Sequence, residues 1–201
     1  MNNSKIRDIA MVATFAALII VLGGVSIPIG SAGVPIVLQN MGIALAAMLL
    51  GWKLGGLSTL LFLGVGLFNV PNMAGWKPLL AALPGPTVGY IVGYAIAAFV
   101  VGAIAQTAPR NKPARVGVFV FAGIVGVAIQ YLCGAAGLVA RVGLTYTDAL
   151  ISNAPYVPGD LLKVVMAALI ATAVLQAFPA LLPDRENRRE AKAVKIAANA
   201  Q

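Results

Sequence analysis

Six apolar runs, roughly residues 9–27, 35–50, 54–70, 86–106, 116–140 and 160–182, divide this chain almost from end to end. An apolar helix of about 20 residues matches the hydrocarbon thickness of a bilayer. Within lipid, a helix satisfies its own backbone hydrogen bonds. The runs therefore predict an all-α membrane protein, a compact bundle of six transmembrane helices. This membrane domain covers residues 1–183, and a basic tail follows over 184–201. Composition agrees, with 60% of the 201 residues hydrophobic and 10% charged. A soluble domain carries about a quarter charged residues. Runs two and three are short. Sixteen helical residues reach only about 24 Å, less than the ~30 Å hydrocarbon core. Such helices need neighbours to shield them, or loops that dip inward. Lys5 and Arg7 precede the first run, as in a signal peptide, but five more runs follow. The first is read as a helix of the mature protein.

The net charge is +8. A basic balance often points to nucleic acid, but here the basic residues lie between and beyond the apolar runs. Topology explains them better. With the N-terminus inside, eleven basic residues fall on the cytoplasmic side: Lys5, Arg7, Lys53, Arg110, Lys112, Arg115 and five in the tail. Lys77, Arg141 and Lys163 fall outside. Both termini are then cytoplasmic, in a multi-pass protein of the cytoplasmic (inner) membrane. Loops 28–34, 71–85 and 141–159 face outward. They hold most of the proline- and glycine-rich stretches, which suits a binding site open to the outside. By contrast, the inner turn "GWKLG" between runs two and three is tight.

Several stretches carry candidate chemistry. "GVPIVLQN" brings the amides of Gln39 and Asn40 to the start of the second run. Buried amides need partners, and interfacial capping explains them as well as a ligand does. "LPGPTVGYIVGY" opens the fourth run. Its Gly85, Gly89 and Gly93 recur every four residues and leave a smooth face for helix packing. Pro86 suits a first helical turn. Thr87 and Tyr90 share a helical side. Tyr90 fits an interfacial anchor or a ligand contact equally. "YVPGDLLK" places Asp160 and Lys163 at the head of the last run. They fit a first-turn acid with an i,i+3 partner, or a site for a polar ligand. Ala10, Ala13 and Ala17 share one face of the first helix, which serves packing within the bundle or against another protein.

Other chemistry is excluded. The chain has no histidine and one cysteine, Cys133. That removes Ser-His triads, His-ligated zinc and internal disulfides. No metal site and no catalytic residues are expected. The sequence has no G-x-x-x-x-G-K-[ST] phosphate loop, so ATP hydrolysis by this chain is not expected. An intramembrane serine protease would need a Ser-Lys pair, and Lys163 has no convincing serine partner. A purely structural subunit fits poorly with an elaborated outer face.

"VPIVLQN", "LLGWKLGGLSTLLFL", "GPTVGYIVGY" and "PYVPGDLLKVVMAA" come in the order and spacing of BioY proteins. The chain resembles that family over roughly residues 10–182. These are biotin-specific substrate-binding S components of energy-coupling factor (ECF) transporters. The resemblance implies a six-helix fold with a biotin pocket near the outer face, lined by Gln39, Asn72, Ala74, Gly75, Thr87, Tyr90, Asp160 and Lys163. It implies biotin as transported ligand and no cofactor. It also implies assembly in the lipid bilayer with a transmembrane T protein and two ATPases. The A-x-x-x-A face of helix one, here Ala13 and Ala17, would contact the T protein. The sequence departs from the family where Asn40 ends "VLQN", at Val88, and across the loop 69–84. An S component for another vitamin or small metabolite is the alternative.

Overall fold

The structure, a computed structural model, describes residues 3–28, 35–178 and 181. The tail over 184–201 lies outside the described residues. Helix α1 spans Asn3–Gly23, and strands β1 (Ser26–Pro28) and β2 (Pro35–Val37) pair antiparallel behind it. Helix α2 runs Gln39–Gly66. Strands β3 (Pro71–Met73) and β4 (Lys77–Pro78) flank a 3-10 turn at Ala74–Trp76, followed by the short α3 (Leu79–Ala82). Helices α4 (Val88–Ala105), α5 (Lys112–Val142), α6 (Tyr146–Ile151) and α7 (Val157–Ala177) complete the chain. Five helical segments are long and apolar enough to cross a membrane: α1, α2, α4, α5, and α6 with α7.

Six helical runs emerge because α2 is two limbs. Gly51 has φ 75° and ψ −176° in its midst, a conformation open to glycine and hostile to a residue with a Cβ. The chain reverses there. A Cβ built on Gly55 would lie 2.7 Å from the Cα of Ala47, and eight residues of continuous helix would span about 12 Å. The limbs Gln39–Leu50 and Trp52–Gly66 are about 18 and 22 Å long at 1.5 Å per residue.

Helices α2, α4, α5 and α7 form a closed ring of neighbours, with α1 packed on the outside of α2. Small residues allow close approach. Gly89 of α4 meets the backbone of Cys133 and Gly137 on α5, and Gly93 meets Gln130. Ala122, Ala167, Ala168 and Ala171 are fully buried between α5, α7 and Met48 of α2. Gly85 and Pro86 precede the helix rather than open it, because α4 begins at Val88 with Thr87 as its cap residue. Large apolar side chains such as Leu61, Val92, Phe121 and Leu169 face outward, as a lipid-facing surface requires.

The two ends of the bundle differ. One carries the Gly51 turn and the α4–α5 loop, which meet through Gln106 beside Gly51. There Arg115 is buried, and its guanidinium donates to the carbonyls of Pro109 (3.2 Å) and Arg110 (3.1 Å). The described chain starts and finishes at this end. The opposite end carries both strand pairs, α3 and α6, and the candidate site lies among them.

Candidate functional site

A cavity of about 430 Å³ opens at the strand-bearing end, within the range of small-molecule pockets. Its buried extreme is built on α7. Pro158 in the first turn of α7 fixes the helix start, and Asp160 and Lys163 follow one turn apart on the inward face. Each is 7% exposed. An isolated charge so buried is costly, so the pair is closed: Lys163 Nζ lies 2.7 Å from Asp160 Oδ1.

The network extends to α2 and α5. Asn40 Nδ2 donates to Asp160 Oδ1 at 3.0 Å, and the Tyr131 hydroxyl donates to Oδ2 at 2.7 Å. Lys163 Nζ also donates to the Val37 carbonyl at 2.8 Å and, more loosely, to Asn40 Oδ1 at 3.4 Å. A carboxylate offers about four lone-pair sites. Three are taken, and the fourth is on Oδ2. The ammonium has three protons, one of them held only by the long contact to Asn40.

Aromatic side chains line the remainder. Tyr90, Tyr94, Tyr131 and Tyr156 all face the cavity, with Ile91 and Met73. The Tyr90 hydroxyl donates to Asn153 Oδ1 at 2.6 Å, and Asn153 Nδ2 donates to the carbonyl of Ala149 at 3.0 Å. This chain ties the α6 region to α4. Ala74 and Gly75, on the turn between β3 and β4, and Lys77, the first residue of β4, lie at the exposed extreme.

Of the residues expected at a site, Gln39, Ala74, Gly75 and Thr87 line this cavity, as do Tyr90, Asp160 and Lys163. Asn72 does not. It is fully buried behind the wall, where Nδ2 donates to the Phe62 carbonyl (2.6 Å) and Oδ1 accepts from Leu79 N–H (3.1 Å). Its own carbonyl accepts from Gln39 Nε2 at 2.7 Å. Gln39 also donates to the Ile19 carbonyl at 3.2 Å, so its amide nitrogen joins α1, α2 and β3. Tyr131 and Asn153 escaped sequence reasoning. Gln130–Tyr131 is the one strongly polar pair inside the apolar run 116–140, and that was the available signal. Ala13 and Ala17 are exposed on α1, while Ala16 between them is buried.

Among the described residues no cluster of His, Cys, Asp or Glu could hold a metal ion.

Comparison with known proteins gives a consistent result. The model of the BioY family matches residues 1–180. A protein of Rhodobacter capsulatus named biotin transporter BioY is 39% identical over 189 residues, covering 89% of this chain and 98% of that protein. A biotin transporter BioY of Thermotoga maritima is 34% identical, covering 82% and 94%. Among solved structures, the crystal structure at 2.1 Å of the S-component for biotin from an ECF-type ABC transporter superposes with a TM-score of 0.79 at 31% identity. It covers 88% of this chain and 94% of that one. The family match across nearly the whole chain, on the same fold, means that this chain belongs to the BioY family.

Proposed function

We propose that this chain captures biotin in the α7 cavity and works as the S component of an ECF-type transporter. The observation that carries this reading is the incompletely satisfied network of Asp160 and Lys163. Biotin's ureido ring presents two N–H donors beside one carbonyl acceptor. The open lone pair on Asp160 Oδ2 accepts a ureido N–H. The loosely held third proton of Lys163 turns to the ureido oxygen. Both are charge-assisted bonds, stronger than neutral ones, made where a missing partner is costly. Tyr90, Tyr94 and Ile91 offer apolar surface to the thioether ring and chain. The remaining lining residues, Gln39, Ala74, Gly75 and Thr87, shape the walls. Asn72 supports them from behind.

The partner arrangement follows from the same chain. With no phosphate-binding loop, ATP hydrolysis is assigned to two ATPase subunits coupled through a transmembrane T protein. Ala13 and Ala17, exposed and small, form the face of α1 that docks on it. The basic-residue bias puts the cavity on the outer side of the cytoplasmic membrane and the Gly51 turn inside. The test is uptake of radiolabelled biotin by cells lacking their own biotin transporter. Uptake is expected to rise when this chain is produced with a T protein and both ATPases. A chain that raises no uptake beyond cells carrying the module alone contradicts the reading.

A further inference from the structure

The network at Asp160 also decides which way the ligand lies. Biotin's far end is a carboxylate. At the buried end of the cavity it would face the Asp160 carboxylate directly. It would also have to pull Lys163 from Asp160 Oδ1 and the Val37 carbonyl, both within 2.8 Å. The buried end therefore suits the neutral ureido head and rejects the anionic tail. A tail pointing to the exposed end needs a cation there.

Among the described residues that line the cavity, the only other cation is Lys77. It is exposed, unlike Lys163, and its ammonium makes no hydrogen bond or ion pair with the described residues. The backbone beneath it is held firmly. Gly75 and Trp76 both have positive φ, 68° and 57°, an unusual pairing for a residue as bulky as tryptophan. The indole of Trp76 fills the space that a Cβ on Gly24 would take, which ties the turn to the end of α1. On the other side, Asn72 Oδ1 accepts from Leu79 N–H. Lys77 is thus a charge without a partner among the described residues, next to a braced turn at the cavity mouth.

We infer that Lys77 receives the carboxylate of the ligand and selects for an acidic tail. The inference rests on the biotin reading above and adds the ligand's orientation. A free ammonium beside a partly desolvated carboxylate gains a charge-assisted bond with little cost in rearranged protein contacts. An amide tail still offers a carbonyl acceptor but loses the attraction between two opposite charges.

The test compares biotin with its primary amide, which keeps the ring and chain but loses the charge. Affinities are measured in detergent for the wild type, Lys77→Met and Lys77→Arg, with the ligand-free melting temperature of each. The wild type is expected to prefer the acid over the amide. Lys77→Met is expected to weaken acid binding by about 10-fold, the lower end for loss of a hydrogen bond between charged groups. Amide binding should weaken far less than acid binding, Lys77→Arg should restore the preference, and melting temperatures should agree. Added salt should weaken the acid more than the amide. Equal effects of Lys77→Met on acid and amide, or no effect on either, would overturn the inference while leaving biotin as ligand. Binding of neither compound by the wild type would overturn the biotin reading itself.

Discussion

Lys163 Nζ sits 2.7 Å from Asp160 Oδ1, one helical turn away, with both side chains almost wholly buried. On an exposed helix such an i,i+3 pair is worth a few tenths of a kcal/mol. Here it is different in kind, because removing one member leaves the other charged and buried. Lys163→Met leaves Asp160 with only Asn40 and Tyr131 as donors. It should cost about 3–5 kcal/mol of stability, visible as a lower melting temperature without ligand. Asp160→Asn keeps the shape of the side chain but must turn a donor toward one of its present donors or toward the ligand's N–H. Biotin affinity should fall by about 2–5 kcal/mol, roughly 30- to 4,000-fold. Titration of each variant in detergent checks this. Near-normal affinity in a folded Asp160→Asn would remove Asp160 from the binding site.

Asn72 gives the opposite pattern. Its side chain joins the second limb of α2 to the start of α3 and never reaches the cavity. Asn72→Ala orphans the Phe62 carbonyl and the Leu79 N–H, at about 1–3 kcal/mol for each group. Thermal unfolding should show the loss. Biotin affinity of the protein that remains folded should change far less than in Asp160→Asn. A large affinity loss with unchanged stability would place Asn72 in contact with the ligand.

The packing of α4 on α5 depends on glycine at position 89. A side chain there collides with the Cys133 carbonyl, and its Cβ lies 2.8 Å from Gly137 N. Both obstacles are backbone, which moves only if the helices part. Gly89→Val should destabilise by at least about 1–3 kcal/mol, measured by circular dichroism on heating. Gly117, whose Cβ would meet nothing within 4 Å, should accept Ala with little change.

Much of this was legible in the chain because lipid imposes a simple rule. Long apolar runs must be helices, and a charge inside one must have a reason. That rule found the six helical runs and singled out Asp160 and Lys163. The four-residue spacing of Gly89 and Gly93 likewise announced a close helix contact. What stayed hidden depends on partners distant in sequence. Tyr131 meets Asp160 across 29 residues, and Tyr90 meets Asn153 across 63. Nothing local marks such pairs. Asn72, expected at the site, lies behind the cavity wall with its side chain bonded to Phe62 and Leu79, a burial that a polar residue in an outer loop does not announce. The helix start after Pro86 shifted because Gly85 and Pro86 belong to the loop that leads into the cavity.

The orientation assigned to the bundle predicts which positions a labelling reagent can reach. In a Cys133→Ala background, Asn111→Cys lies at the end that carries the Gly51 turn, and Asp148→Cys lies on α6 at the cavity end. A membrane-impermeant thiol reagent added to intact cells should label the second and not the first. The reversed pattern would turn the cavity toward the cytoplasm.

If the exposed alanines of α1 form the proposed docking face, substitutions there separate capture from coupling. Ala13→Trp and Ala17→Trp add bulk to a surface that the bundle leaves uncovered. Co-purification with the T protein should be lost while biotin binding by the chain alone persists. Equal loss of both would mean that these alanines pack within the bundle.

The central claim is that the cavity above Asp160 takes biotin. Native mass spectrometry of the purified chain, incubated with biotin and a panel of other water-soluble vitamins together, tests it most directly. The account predicts one retained molecule per chain, of biotin's mass, absent from Asp160→Asn. Retention of a different vitamin, or of nothing while the protein is folded, would contradict it.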